Sequence, residues 1–206
     1  MSQTWGVDDS MDDNEDMRAL LAQAGTTYPM VVNIANRTLR REINDKIKEA
    51  AFDAIPDYNP GTSISEATSG YATMANAKGI LSLRFQDYIY PEMAAHGVTQ
   101  ISSLTIDLCD GRVYRFYELF RNGSDYQSKI DLMTRVEIIS RQLPMLKPFA
   151  GVCPDQEFYL TSNSLVIYYQ PYVYTPGAYG VLELTLPYPE ILGIIEPNGP
   201  IGRLLS

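Results

Sequence analysis

Residues 87–111 read DYIYPEMAAHGVTQISSLTIDLCDG, and this stretch decides the fold. It opens on a strand-like run, breaks over residues 91–97, and resumes from Gln100 to Leu108. In the second run Ile101, Ser103 and Thr105 share one face, and Leu104, Ile106 and Leu108 share the other, as a two-residue period requires. Asp110-Gly111 is a tight-turn dipeptide, so residues 112–116 read as a returning strand. The first run extends backwards: Leu81, Leu83 and Phe85 alternate with Ser82, Arg84 and Gln86, which gives a long strand over 80–90. Closely spaced strands joined by short connections make antiparallel pairs. The stretch also holds His96, the chain's single histidine.

Working outward, Leu39, Ile43, Ile47, Ala50, Ala51 and Ala54 recur at spacings of three and four behind Asn36. They predict a capped helix that stops before Pro56. Residues 56–69 are rich in Pro, Gly, Ser and Thr and read as a loop. Residues 28–34 (YPMVVNI) read as an edge strand behind a proline. Residues 71–77 read as a short strand and Lys78-Gly79 as a turn. Downstream, Ser124 and Gln127 have the form of a capping box. The helix behind them carries Tyr126, Ile130, Met133 and Ile138, flanked by Leu132, Val136 and Ile139, a broad apolar face expected to lie across the sheet. Strands follow at 158–160, 165–172 and 181–186, with a turn at Ser162-Asn163 and a loop at 175–180, then a short helix at 190–195. The order predicts an α+β fold: a mostly antiparallel sheet with two main helices packed on one face. The expected division is an acidic, helix-patterned segment at 1–27, an α+β subdomain at 28–98 and another at 99–206, the last two joined in one unit.

The net charge of −9 is unevenly placed. Asp8, Asp9, Asp12, Asp13, Glu15 and Asp16 carry −6 of it with no Lys or Arg among the first sixteen residues, which leaves −3 for the rest. Ser10 precedes acids and then Arg18, the order of a capped helix, with Gly25 as its stop. No Lys/Arg cluster is present, which argues against nucleic acid. A basic protein could meet the acidic segment. No run reaches the roughly 18 apolar residues that span a bilayer. Location therefore divides in two: cell envelope if a signal or anchor accompanies the chain, cytoplasm or spore otherwise. Cys109 and Cys153 are read as two unpaired, partly buried thiols, although an oxidising compartment would permit a disulfide. Two cysteines and one histidine at these spacings do not make a usual zinc site, and no cofactor motif is present, neither a Walker A segment nor GxGxxG.

Several segments, in order, resemble one family. These are YP…N…LRREIN, LSLRF…YIY…AHG, SLTIDL, ELF…GSDY, PDQEFYL, LVIYYQPY, TPGAYG and LPYPEI. They are similar to the paired uncharacterised domains of a lysozyme-binding anti-sigma-V receptor and of a peptidoglycan deacetylase, where they lie beside the catalytic domain. The tail NGPIGRLL resembles a shorter branch in spore-forming Firmicutes. The resemblance implies an α+β fold, sensing or cell-wall association, and no catalysis by the domain itself. Two turns depart from the family: MAAHG at 93–97 stands where GGAHG is common, and TPGAYG at 175–180 lacks the tyrosine that usually follows the proline.

The candidate site follows from the loops. Fifteen tyrosines are many for 206 residues, and two groups of them stand beside turns. Tyr88 and Tyr90 flank the turn with His96. Tyr172, Tyr174 and Tyr179, with Pro176, surround the loop at 175–180. Tyrosine supplies large contact area at low entropy cost, so these residues are the expected ligand contacts. Alternation places Tyr168, Gln170 and Tyr172 on one face and Ile167 and Tyr169 on the other. Glu183, between Leu182 and Leu184, is expected to face water. No carboxylate pair, GxSxG elbow or Cys-His arrangement supports a reaction, and no catalytic residue is assigned. The expected function is a non-catalytic binding or sensing domain for a lysozyme-like protein or peptidoglycan. The alternatives are a structural protein of cytoplasm or spore that assembles through an exposed strand edge, and a cell-wall hydrolase built on His96.

Overall fold

A computed structural model describes residues 27–54 and 63–206. The acidic helix expected near the N-terminus, and residues 56–62 of the loop read at 56–69, lie outside these residues.

Asn36 caps α1 (Arg37–Phe52), its Oδ1 accepting from the Thr38 and Leu39 amides at 3.0 and 3.2 Å. The spacing of its apolar residues buries Ile43, Ile47, Ala50 and Ala51 on one face. That face meets Leu81, Leu83, Phe85, Leu104 and Ile106, and each fully buried isoleucine contributes roughly 1.5–3 kcal/mol.

The first sheet has the order β1-β2-β3, all antiparallel: β1 (Ile64–Ala77), β2 (Ile80–Pro91) and β3 (Val98–Asp107). Residues 64–69, read as loop, belong to β1. Their ladder with β2 outweighs the low strand propensity of Glu66 and Ala67. The Lys78-Gly79 turn holds as expected, with both residues at positive φ. Along β2 and β3 the odd and even positions part as the alternation demanded. Leu81, Leu83, Phe85, Leu104 and Ile106 face α1, while Ser82, Ser103 and Thr105 make hydrogen bonds on the opposite side.

That opposite side meets a second antiparallel sheet of order β4-β5-β6: β4 (Phe158–Leu160), β5 (Ser164–Tyr169) and β6 (Leu182–Pro187). Ile101, Tyr159, Val166 and Tyr168 fill the space between the sheets, with Met74 and Val181 at its margin. α2 (Tyr126–Ser140) lies beyond the second sheet. The class is α+β as expected, but the strands form two sheets and each main helix covers a different one. The reason is a doubly buried strand pattern. Both faces of β2, β3 and β5 are apolar or internally hydrogen-bonded, so each sheet needs a layer on either side.

Several local expectations are corrected. Residues 28–34 are extended but join no ladder. The Asn44 side chain accepts from Val31 N at 2.8 Å and donates to Val31 O at 3.1 Å, so one amide on α1 does the work of a neighbouring strand. Residues 112–116 return only as far as a bridge from Val113 to Ile106. The Glu118 carboxylate then takes the Arg115 N–H at 2.8 Å and starts a 3-10 turn at Phe116–Leu119. α2 begins at Asp125 without a side-chain cap, and Ser124 Oγ has no partner. Only Ile130 and Thr134 of α2 are fully buried, and Leu132, Val136 and Ile139 stand exposed. The helix sits along β6 at the sheet's margin, so a narrow stripe is enough to seat it. β5 stops at Tyr169, not at 172, and the helix expected at 190–195 is α3 (Tyr188–Ile191). Ile195 instead bridges Phe120. α4 (Pro200–Leu205) closes the chain.

Glu183 is only part-exposed, its carboxylate turned to the first sheet. It accepts from Arg84 Nε at 2.8 Å and Tyr159 OH at 3.0 Å, which ties β6 to β2 across the sheets. Both cysteines are unpaired, as read, but exposed rather than partly buried.

Candidate functional site

β2 carries Tyr88 and Tyr90 to the end of the first sheet, where the chain turns over residues 91–97. Tyr90 OH donates to Ala94 O at 3.0 Å and holds the turn closed. Met93, at φ 63°, projects fully into solvent at its tip. The turn returns under Tyr88: a Cβ on Gly97 would lie 2.4 Å from the Tyr88 ring, so only glycine lets the ring rest there. This glycine is needed for close approach, because its φ is ordinary.

The second loop leaves β5 after Tyr169. Gln170 turns its side chain onto the first sheet, accepting from Ile101 N at 3.2 Å and donating to Ile101 O at 2.7 Å. Tyr172 then adopts φ 67°, with its N–H bonded to Thr175 O at 3.1 Å. Its ring lies over Gly177, where a Cβ would come within 2.1 Å of it. This conformation takes Tyr172 off the strand face predicted by alternation and aims it at the first loop.

The loops meet at His96. Its Nδ1 lies 3.1 Å from Gly97 O, and its Nε2 lies 3.1 Å from Tyr172 OH. A carbonyl only accepts, so Nδ1–H donates to Gly97 O, which leaves Nε2 to pair with the tyrosine hydroxyl. The two rings are 6.4 Å apart and inclined by 29°. Tyr172 remains 53% exposed and Val173 beside it 36%. The result is one surface from two sheets, held by a hydrogen bond spanning 76 positions of sequence.

Of the expected contacts, Tyr88, Tyr90, His96, Tyr172 and Pro176 belong to these two loops. Tyr174 and Tyr179 are engaged elsewhere. Tyr174 is buried, edge-on to Tyr169 at 4.8 Å, and its hydroxyl accepts from Ala150 N at 3.2 Å. Tyr179 turns to α2, where its hydroxyl accepts from Arg141 Nη2 at 2.6 Å. Sequence reading missed Met93 as a surface residue and Gly97 and Gly177 as ring platforms. The signal for the glycines was their place in two turns that also hold tyrosine.

His96 is paired with a tyrosine and a carbonyl, and neither serine nor carboxylate bonds to it. Among the described residues no group of three His, Cys, Asp or Glu side chains could hold a metal ion. Other segments that carry the family resemblance hold the fold together. Asp107 of SLTIDL is bound by Arg203, Tyr114 and the Cys109 amide. Gln156 of PDQEFYL donates to the Glu157 and Tyr168 carbonyls beside a cleft of about 320 Å³.

With this geometry in view, comparison with known proteins is informative. Residues 117–189 match a family described as a protein of unknown function, DUF3298. The anti-sigma-V factor RsiV of Bacillus subtilis is 25% identical over 177 residues, covering 77% of this chain and 60% of that protein. The chain thus spans about three fifths of that relative's length. Two solved structures share the fold, both DUF3298 proteins. The one from Pseudomonas aeruginosa superposes with a TM-score of 0.53 at 19% identity, covering 73% of this chain and 68% of the other. The one from Bacteroides fragilis gives 0.54 at 18%, covering 82% and 68%. By sequence over residues 117–189, and by fold over most of the chain, this protein resembles the DUF3298 proteins and the anti-sigma-V factor RsiV.

Proposed function

We propose that the protein is a non-catalytic binding domain of the bacterial cell envelope or spore, and that it engages a lysozyme-like protein or peptidoglycan. The observation that supports this reading most is the joining of the 91–97 and 171–180 loops at His96 and Tyr172. It fixes an exposed tyrosine beside a turn that bears a fully exposed methionine. A rigid aromatic ring next to an adaptable thioether suits a protein partner, and the same ring can stack on a sugar. The curated relative is named as an anti-sigma factor and not as an enzyme, which agrees with recognition as the domain's task.

Binding is tested with purified lysozyme by calorimetry and with purified peptidoglycan by co-sedimentation. Tyr172→Ala is expected to weaken whichever interaction is found by about tenfold or more, the scale of an aromatic hot spot. Absence of binding to both at high micromolar concentration overturns the proposal. Full retention of affinity in Tyr172→Ala moves the site away from these loops.

A further inference from the structure

The two sheets have four outer edges, and three are closed. On β3, Gln170 satisfies both backbone groups of Ile101, while Tyr114 N bonds to Thr105 O and Asp107 N to Arg112 O. On β6, Arg141 donates to Glu183 O at 2.8 Å and Glu137 accepts from Thr185 N at 3.4 Å. β4 is three residues long and set against the first sheet, with Leu160 N on Ser82 Oγ and Ser103 Oγ on Phe158 O.

β1 differs from all of these. It is fourteen residues long, and β2 is its one strand neighbour. Among the described residues no backbone bond reaches its other side. Its sequence, ISEATSGYATMANA, holds a single charge at Glu66, with no lysine and no proline. Natural proteins blunt exposed edges with charges, prolines or covering groups, and a long neutral edge without them is a template for another strand. Residues 29–34 approach β1 at Thr73 and Asn76, towards its far end.

We propose that β1 pairs antiparallel with β1 of a second copy of this chain, about a two-fold axis perpendicular to the sheet. Register shifts near Ser65 and Met74 leave 66–73 as the regular run. A perpendicular two-fold keeps each side chain on its own face, so the axis must pass through a residue position, and the middle of the run offers Ser69, Gly70 or Tyr71. Those centres set Glu66 opposite Ala72, Met74 or Asn76. The two Glu66 carboxylates then stand about 20 to 33 Å apart along the strands, beyond a Debye length at physiological salt. The run is self-complementary because it is neutral from 67 to 73 and its one charge, Glu66, sits at its end away from the other copy's Glu66, whereas a highly charged peptide would find little matching charge on it. Bulk is no obstacle: Ala67, Gly70 and Ala72 are small, and nothing lies within 4 Å of where a Cβ on Gly70 would stand. Pairing would also cover Tyr71, which is 43% exposed at this edge. The outcome is one continuous sheet with β1 at its centre in both copies.

The test is sedimentation velocity of the full chain at rising concentration up to about 200 µM, because a reversible dimer follows mass action. The expected result is a species of twice the chain mass. Gly70→Lys sets like charges close to the axis and is expected to return the chain to a monomer, with unchanged circular dichroism because the position is open. Gly70→Thr, which favours strand, is expected to remain dimeric. A wild-type chain that stays monomeric throughout, or a Gly70→Lys variant that still dimerises, overturns the proposal. Hydrogen exchange of the wild type provides a check that needs no variant. Amides within 66–73 must gain protection with concentration, and dimerisation without that gain places the interface elsewhere.

Discussion

Arg203 on α4 offers the sharpest test of how the C-terminal tail supports the fold. Its Nη1 meets Asp107 Oδ2, and its Nη2 donates to Lys78 O at 2.8 Å and lies 3.4 Å from Asp107 Oδ1. One side chain therefore clamps the end of β3 to the turn between β1 and β2. The Asp107 side chain is 7% accessible and that of Arg203 28%. Arg203→Met keeps the apolar stem but leaves the carboxylate with the Cys109 amide and the Tyr114 hydroxyl, each at 2.9 Å. Breaking a buried pair from one side costs about 3–5 kcal/mol, and the partial exposure of Arg203 favours the lower end, about 3 kcal/mol. For a chain of this size that lowers the melting temperature by about 6–12 °C. The pH dependence follows from the carboxyl. Burial pushes Asp107 up, but the Arg203, Cys109 and Tyr114 hydrogen bonds outweigh it and hold the group below 3.8. A depressed carboxyl contributes its stability above its unfolded value and loses it as pH falls through the folded one. The gap between wild type and variant is thus complete near neutrality and closes progressively below about pH 3.8. Thermal unfolding followed by circular dichroism down the acid range measures both. A gap under about 2 °C at neutral pH, or one that persists unchanged where Asp107 is protonated, refutes the reasoning.

Other expectations follow from single positions. Asp87 is buried on β2 with no hydrogen bond of good geometry to either oxygen, and burial raises its carboxyl, with the Ser69 hydroxyl across the ladder offsetting only part. A raised carboxyl costs stability as pH rises past its unfolded value, in full above its folded one, so Asp87→Asn is expected to melt higher at neutral pH. That advantage shrinks on acidification, and a lower melting temperature for Asp87→Asn at neutral pH would contradict the account. Gly177→Ala puts a methyl against the Tyr172 ring, at the mobile end of an exposed side chain. It is expected to displace Tyr172 from His96 and weaken ligand binding while melting within about 1 kcal/mol of wild type, which calorimetry and thermal unfolding separate. Leu83→Ala removes a fully buried side chain between α1 and the first sheet and is expected to cost about 2–5 kcal/mol in urea titration.

The parts of the fold that sequence made legible are those with a repeating side-chain period. β2, β3 and α1 were readable because Leu81, Leu83 and Phe85, Leu104 and Ile106, and Ile43 and Ile47 recur at the spacing of their element. The loop reading of 64–69 failed because its composition is that of a loop, and β1 takes its conformation from the ladder with β2, a partner that composition does not reveal. α2 looked broadly apolar, yet Leu132, Val136 and Ile139 are exposed, because the width of a buried stripe depends on where a helix sits relative to the sheet margin.

The site was legible in its parts and not in its assembly. Tyr88, Tyr90, His96 and Tyr172 could be singled out because aromatic residues beside turns are unusual where a turn needs only polar or small ones. What joined them is a positive φ at Tyr172, which no alternation rule anticipates, and two glycines whose missing Cβ atoms leave room for rings. The same limit explains Gln170 and Asn44. Each is a polar side chain that satisfies both backbone groups of one residue lacking a strand neighbour there, Ile101 and Val31. A primary amide is the one uncharged side chain with a donor and an acceptor set side by side, as a strand's backbone presents them. Gln170, just past the last residue of β5, closes the edge of β3 in this way, and among the described residues no side-chain amide does the same for β1. The contrast between the closed and the bare edge is thus partly written in the sequence, but it becomes readable only once the ladder shows which strand lies outermost.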